Sequence, residues 1–317
     1  MPSIIETTAF AFHGSGAISG SWFEFNDCMD HFHKRGVFSK IPFGHCVRLS
    51  IQRAITGLLC VYIHLLLSPY FHVDHCPTSL FANYSLPFKM VYMYVTLEGV
   101  LFFYFTAFCF LDSSNHACGI SFNGYEQPKE PSIKAVAPKK EMGEPRFDRV
   151  VNIKLWKFLT GSEVREIINS WNVSIHNWLK YYVYVRQLEP GQKPGWQQNI
   201  LTFLTSALWH GVYPSYYVFF TGIFLFLESK KGIDLLAQRL FWFVPTFFKK
   251  LVSHVISFVL ISYLVMGHKL LYFGSLLQCY KNQYFWGHFY LATIIVVYIV
   301  APKPKNEKKQ GEKVKAQ

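Results

Sequence analysis

A histidine at the end of an apolar run is the residue of this chain best placed for acid–base chemistry. His210 follows the run Ile200–Trp209 and precedes Gly211. An ionisable group at membrane depth is costly to solvate, so it is read first as a functional group. A neutral imidazole there can still accept a proton near pH 7. We predict that His210 is a general base. The structural alternative is a packed histidine bonded to a helix carbonyl.

A second polar cluster lies upstream, between Trp171 and Arg186. On a helix, Asn172 and His176 are one turn apart and share a face, and Trp171 and Trp178 are two turns apart. A neutral amide can orient a hydroxyl or a carbonyl without the cost of burying a charge. We therefore predict that Asn172 orients a substrate. For most of this segment the alternative is an interfacial helix anchored by Trp and Tyr.

The composition predicts that both clusters are positioned by membrane helices. The chain of 317 residues is 51% hydrophobic and only 16% charged, whereas soluble domains are about a quarter charged. Helices need about 17–25 apolar residues to cross hydrocarbon, and shorter runs indicate tilted or re-entrant elements. We predict an all-α, polytopic membrane helix bundle. Its spans or part-spans are Cys46–Tyr70, Phe88–Asp112, Ile200–Trp209, Tyr216–Leu227, Leu251–Met266 and Phe285–Val300.

Other segments connect these spans. Ser162–Arg186 has a helical pattern, with Ser162 and Glu163 as cap residues. Ser113–Tyr125 contains Gly and Asn and is predicted to be a turn region. The remaining connections are an amphipathic element at Asp27–Lys40, a Pro-, Lys- and Glu-rich solvent loop at Glu126–Asp148, and a short aromatic element at Val150–Thr160.

The net charge of +12 does not indicate a nucleic-acid partner, because the basic residues are not interleaved with stacking aromatics on a polar face. They concentrate after the last hydrophobic run, and a lysine-rich end is what the positive-inside rule expects on the cytosolic side. Residues 303–317 are therefore predicted to be a disordered cytosolic tail. Its lysines are Lys303, Lys305, Lys308, Lys309, Lys313 and Lys315.

The seven cysteines are scattered, so no disulfide framework is expected, and those in apolar runs are read as small hydrophobes. The spacing of His72, Asp74, His75 and Cys76 fits no common zinc pattern, so no metal is expected. Asn83-Tyr-Ser85 is a formal glycosylation sequon, which is informative only if its loop faces the lumen.

Four motifs in order resemble those of the membrane-bound O-acyltransferase family. Trp171-Asn172-x-Ser174-x-x-x-Trp178-Leu179 is followed by Trp209-His210-Gly211-x-x-Pro214-x-Tyr216. These are similar to the lysophospholipid acyltransferase branch. Upstream, Glu98-Gly99 and Gly119–Tyr125 resemble further elements of that branch, and Phe10–Glu24 resembles its glycine-rich loop. Ser215 and His176 depart from the usual Gly and Asn.

The resemblance implies a fold and a domain organisation. Residues 1–302 are expected to form the acyltransferase core, followed by the tail. Because the family normally has several further spans before the glycine-rich loop, we expect the core to be N-terminally incomplete.

The resemblance also implies an activity and a site. The expected reaction is acyl transfer from acyl-CoA, as co-substrate, to a lysophospholipid, which is the remodelling reaction of the Lands cycle. The reaction needs no further cofactor and is expected in the endoplasmic reticulum membrane. The resemblance leaves open whether the protein is a homodimer. His210 and Asn172 are the catalytic residues. The substrate-binding residues are Glu98, Asn123, Trp171, Trp178, Trp209, Tyr216, Arg186 and Lys180. Arg186, Lys180 and Lys193 would meet the CoA phosphates, unless they only reflect positive-inside topology.

Three other functions stay open. The acceptor could be a sterol, a diacylglycerol or a protein instead of a lysolipid. The chain could be a truncated, non-catalytic homologue. It could also be a transporter in which His210 and Glu98 line a polar path, although the sequence has no paired inverted half-repeats.

Overall fold

A computed structural model describes residues 2–13, 21–126, 143–193 and 195–301. The predicted tail at 303–317 and parts of the glycine-rich loop and of the solvent loop lie outside these ranges. The described residues form a helical bundle, with one isolated bridge between Tyr125 and Pro145. Its α-helices are α1 (Ile4–Ala11), α2 (Phe25–Phe32), α3 (Phe43–Leu67), α4 (Ser79–Ala82), α5 (Leu86–Cys118), α6 (Leu155–Thr160), α7 (Val164–Ser170), α8 (Val173–Trp178), α9 (Trp196–His210), α10 (Pro214–Arg239), α11 (Thr246–Leu264), α12 (Met266–Lys269), α13 (Phe273–Asn282) and α14 (Trp286–Val300).

The all-α membrane architecture predicted from the apolar runs is confirmed. In the described part, three helical stretches are long and apolar enough to cross a membrane: α3, α5 and Thr246–Lys269. The pair α13 and α14 passes the same test as a span bent by 78°. Side chains such as Ile51, Ile55 and Leu58 on α3 are exposed. In a soluble protein such a surface would be anomalous, whereas against lipid it is expected.

The helix α5 is longer than the sequence pattern predicts. Residues 113–118, expected to begin a turn region, continue the helix for 33 residues in all. Their polar side chains have partners elsewhere in the chain. Ser113 Oγ donates to the Ser50 carbonyl at 2.8 Å, and His116 Nδ1 lies 2.7 Å from Ser121 Oγ. The helix ends at Gly119, whose φ of +82° suits a left-handed cap.

The predicted single helix over Ser162–Arg186 is wrong. α7 ends at Ser170, Trp171 is extended, and Asn172 has a left-handed backbone with φ 42° and ψ 52°. α8 then begins, and Leu179–Tyr184 follow as a π-helical stretch. Asn172 therefore precedes its helix as the N-cap, and Trp171 does not share a helix with Trp178.

Local sequence features set the ends of the two helices that flank the motif histidine. α9 starts after Gly195, whose N–H donates to Gln198 Oε1 at 2.9 Å, and it ends at Gly211 with φ +134°. α10 starts with Pro214 at its first position, where the missing N–H costs nothing. The sharp turn between them leaves His210 at the end of one helix, facing the first turns of the next.

The expectation of no disulfide is wrong at one pair. Cys76 and Cys279 are joined by a disulfide, although 203 residues separate them in sequence. Of the others, Cys28, Cys46, Cys60 and Cys109 are buried, as expected of small hydrophobes, and Cys118 is exposed.

Candidate active site

The Trp-Asn motif and the Trp-His-Gly motif meet through their tryptophans. The rings of Trp178 on α8 and Trp209 on α9 lie 5.0 Å apart between centroids, and Trp178 also stacks on Tyr182. Aromatic pairs at this separation contribute about 0.5–1.5 kcal/mol beyond the area they bury. The contact brings the segment that follows Asn172 against the residue that precedes His210.

His210 lies among aromatic rings on one side and is open on the other. Its ring centroid is 5.6 Å from that of Tyr216 and 5.1 Å from that of Phe220, both on α10. The side chain is nevertheless exposed on the surface of the chain, as is Trp209 at 60%. The described residues thus contact the ring on one side and leave its other side exposed.

A second histidine contacts the first. His268 Nε2 lies 3.3 Å from His210 Nδ1, and the two rings are 4.9 Å apart. When His210 Nδ1 carries the proton and donates it to His268, the Nε2 lone pair of His210 is left to act as base. This is the arrangement of a base oriented by a third group. The sequence interpretation did not single out His268.

A glycine allows this contact. His268 follows Gly267 in the short helix α12, and a Cβ on Gly267 would lie 2.9 Å from the Ser215 carbonyl and 3.0 Å from Phe219 Cβ. Only glycine permits so close an approach of α12 to the first turns of α10. A histidine beside a glycine at a helix break after an apolar run was the available sequence signal.

Asn172 is held in a strained backbone conformation by its neighbours. Non-glycine residues in the left-handed region cost about 1–3 kcal/mol and persist where the surroundings enforce them, often at functional sites. On one side the Val173 N–H donates to the Asn152 carbonyl at 2.8 Å. On the other, the Lys154 N–H donates to the Ser170 carbonyl at 3.0 Å. Among the described residues, the Asn172 side chain makes no capping bond to the helix it precedes, which leaves the amide for another partner.

Asn152 is the centre of a buried polar network beside that turn. Its side-chain Oδ1 accepts from Ser21 Oγ at 3.0 Å and from Ser174 Oγ at 3.1 Å. Both its backbone N–H and its Nδ2 donate to Asp112 Oδ1, at 2.9 and 3.0 Å. These groups are almost completely buried. The network joins the membrane helix α5, the strained turn and Ser21 of the predicted glycine-rich loop. A carboxylate at the end of an apolar run was the sequence signal for Asp112.

Trp171 is partly buried and packs against the hydrophobic core. Its ring packs against Phe105, Phe108 and Phe158 at 5.2–6.0 Å, and against Tyr104 at 5.7 Å. Tyr104 in turn lies 6.3 Å from His268. Trp171 is therefore packed among aromatic side chains next to Asn172, and its substrate contact stays a prediction.

Glu98 and Asn123 lie in other surroundings. Glu98 on α5 faces Tyr94 and His254. Asn123 donates from Nδ2 to Asp148 at 2.8 Å and accepts from Arg149 at 2.9 Å, so it fastens the turn after α5 to the segment that follows the solvent loop. The described structure brings neither side chain into the cluster of His210, His268 and Tyr216, and their substrate contacts remain predictions.

The predicted phosphate-binding residues are exposed near the aromatic contacts. The Arg186 guanidinium lies over the ring of Tyr182 at 4.8 Å, and the Lys180 ammonium over Tyr181 at 5.2 Å. Tyr182 donates to Glu24 at 2.8 Å. Burial, followed by the charges of Lys180 and Lys154, lowers the pKa of His176, which favours the neutral imidazole.

A small polar cavity of about 170 Å³ opens beside these residues, and it has mixed charge. Trp22 in its wall packs against Tyr182 at 5.6 Å between ring centroids. Its other lining residues include Glu24, Asp148, Arg149, Lys154 and Asn177. Within the described ranges, no group of three or more His, Cys, Asp or Glu side chains is placed to hold a metal ion.

Comparison with known proteins identifies the family. The model of the MBOAT, membrane-bound O-acyltransferase, family matches residues 1–277, which is most of the chain. The chain belongs to the membrane-bound O-acyltransferase family, and with its apolar helices it is an integral membrane protein.

Several similar proteins carry the name lysophospholipid acyltransferase. The chain is 24% identical to lysophospholipid acyltransferase 2 of Arabidopsis thaliana over 98% of its own length and 66% of that protein. It is 27% identical to lysophospholipid acyltransferase 5 of Homo sapiens, over 97% of its length and 62% of that protein. The lysophospholipid acyltransferase of Saccharomyces cerevisiae is 28% identical, over 69% of the chain and 36% of that protein. The chain thus spans less than two thirds of the length of these relatives.

Proposed function

We propose that the chain transfers a fatty acyl group from acyl-CoA to the free hydroxyl of a lysophospholipid in the endoplasmic reticulum membrane. The observation that supports the proposal is the contact between the two motifs, which Trp178 and Trp209 make next to the exposed His210. The names of the relatives favour a lysophospholipid as acceptor.

In the proposed reaction, His210 Nε2 takes the proton of the lysolipid hydroxyl as its oxygen attacks the thioester carbonyl. Nδ1 of the same ring donates to His268, which keeps the ring and its tautomer in place. A positioned base contributes about 10²–10⁴ in rate. When the tetrahedral intermediate collapses, the C–S bond breaks and the proton passes to the CoA thiolate, so that His210 is neutral again.

Asn172 supplies the second polar group. Its amide would donate to the developing oxyanion of the thioester or orient the attacking hydroxyl, and one such donor contributes about 3–4 kcal/mol. An amide held by a rigid turn needs no reorganisation during the reaction. The left-handed backbone beside the buried Asn152 network supports this assignment. Arg186 and Lys180 are free of carboxylate partners in the described salt bridges and have the charge to meet the CoA phosphates.

The experiment is an acyl-transfer assay in microsomes with oleoyl-CoA and a panel of acceptors at matched expression. We expect ester formation with at least one lysophospholipid, and severe loss in Asn172→Ala. Asn169→Ala is the matched control, because Asn169 is an exposed amide three residues earlier. Transfer only to sterol or diacylglycerol would reject the acceptor, and full activity in Asn172→Ala would make Asn172 structural.

A further inference from the structure

One end of the helical bundle is closed by a cross-linked cap, formed by residues 68–85 and 279–284. The Cys76–Cys279 disulfide joins the two segments. Asn282 Nδ2 donates to the carbonyls of Cys76 at 2.8 Å and Thr78 at 3.0 Å. Lys89 Nζ, at the start of α5, donates to the carbonyls of Ala82 and Asn282 at 2.9 and 2.7 Å. The cap is thus an ordered unit and not a loose connection.

The disulfide indicates which compartment the cap faces. Disulfides form and persist in the lumen of the endoplasmic reticulum and are rare in the cytosol. The charge distribution gives the same orientation independently. Residues 68–85 contain no Lys or Arg and residues 279–284 contain one, Lys281, whereas the segments that precede α3 and follow α5 at their opposite ends contain many. These are Lys34, Arg35, Lys40, Arg146, Arg149, Lys154 and Lys157. An excess of Lys and Arg marks the cytosolic side.

The cap carries a glycosylation sequon. Asn83, in Asn83-Tyr84-Ser85, is exposed and follows the short helix α4, just before α5 begins. At about 1.5 Å per residue the 33 residues of α5 measure about 50 Å, against a hydrocarbon core of about 30 Å. The excess length allows the first turn of α5, and the cap that Lys89 holds, to stand outside the hydrocarbon.

From these observations we infer that the cap faces the lumen and that Asn83 is N-glycosylated. The amide nitrogen of Asn83 loses a proton and forms a bond to the anomeric carbon of a lipid-diphosphate-linked oligosaccharide. The bond between that carbon and the diphosphate breaks, and the lipid diphosphate leaves with the electron pair. The turn at Gly119 then faces the cytosol.

The chain contains its own control for this orientation. Asn172-Val173-Ser174 is a second sequon, and it lies towards the other end of α5. Trp171 packs on Phe108, and the turn is bonded through Asn152 to Asp112. In the inferred orientation Asn172 is on the side that the transferase does not reach. The inverted orientation would present Asn172, and not Asn83, to the lumen.

The modification is tested by expressing the full chain with an epitope tag in microsomes and treating it with endoglycosidase H. We expect a mobility shift of one glycan. Asn83→Gln and Ser85→Ala should abolish it, Ser85→Thr should keep it because the sequon is preserved, and Asn172→Gln should leave it unchanged. No shift in microsomes that glycosylate a secreted control protein would overturn the proposal. A shift that survives Asn83→Gln would overturn it as well.

The orientation has a separate readout that does not depend on glycan occupancy. Cys118 is exposed at the far end of α5, whereas Cys28, Cys46, Cys60 and Cys109 are buried. A membrane-impermeant maleimide should label the chain in sealed microsomes, and Cys118→Ser should remove that label. Labelling only after detergent opens the vesicles would place Cys118 in the lumen and overturn the inferred orientation. Neither readout requires the chain to catalyse acyl transfer.

Discussion

Replacing Asn152 by Ala tests whether the buried polar network positions Asn172 for the reaction. The variant removes the side-chain hydrogen bonds to Ser21, Ser174 and Asp112, at 3.0, 3.1 and 3.0 Å. It keeps the backbone bonds of residue 152 to Asp112 and Val173. Because Asn152 is 1% exposed, an effect of the variant on the reaction acts through the residues that Asn152 contacts, among them Val173 and Ser174 next to Asn172.

The expected magnitudes follow from the geometry. Each lost bond contributes about 0.5–1.5 kcal/mol net, and a buried group left without a partner costs about 1–3 kcal/mol. We therefore expect the free energy of unfolding to fall by about 3 kcal/mol. The left-handed backbone of Asn172 stores about 1–3 kcal/mol. If the weakened network lets this strain relax, Asn172 is no longer held in position, and the transition state loses a similar amount of stabilisation. At about 1.4 kcal/mol per factor of ten, kcat then falls about 5–150-fold.

The assay is steady-state acyl transfer by the purified, monodisperse variant, with kcat and KM for the lysolipid measured separately. We expect kcat to fall while KM changes little, since the network does not contact the lysolipid. Asp112→Asn serves as the conservative variant, because its amide oxygen can still accept from the N–H groups of Asn152, and Asp112→Ala should resemble Asn152→Ala. A stable fold with unchanged kcat in Asn152→Ala would refute the positioning role.

Three further predictions address other contacts. His268→Ala should lower kcat about 10–100-fold, whereas His268→Gln should retain more activity because its amide oxygen can accept from the His210 ring; equal losses in the two variants would argue against orientation. A double-mutant cycle of Trp178→Ala and Trp209→Ala, measured by unfolding in detergent, should give a coupling energy of about 0.5–1.5 kcal/mol. If the two substitutions change the free energy of unfolding additively, the rings do not interact. Cys76→Ser and Cys279→Ser should each lower stability by about 2–5 kcal/mol, with the double variant no worse than either, since they break one bond.

The helix content and the membrane character were predictable because they depend on local composition. Apolar runs of sufficient length have few alternatives to helix in lipid. The extension of α5 through Ser113 and His116 was not predictable, because these polar residues resemble a turn until their partners are known. Those partners, Ser50 and Ser121, are supplied by the folded chain.

The candidate site was predictable only where it depends on local sequence. His210 stands out because a single ionisable residue in an apolar run is conspicuous. The break at Asn172 depends on Asn152, which lies outside the motif, so helical periodicity alone predicted a continuous helix. The roles of His268 and of the Cys76–Cys279 pair depend on contacts between residues that are 58 and 203 positions apart in sequence. Spacing in sequence carries no signal at such separations.

The central claim is that the open-edged imidazole of His210 accepts the proton of the acceptor hydroxyl. The most direct test is the initial rate of oleoyl transfer to lysophospholipid by His210→Ala, against the unchanged chain at equal expression. The loss of a positioned base predicts a residual rate of about 1% or less. A residual rate above about a tenth would contradict the claim, because a group that contributes less than a factor of ten falls below the range for a general base.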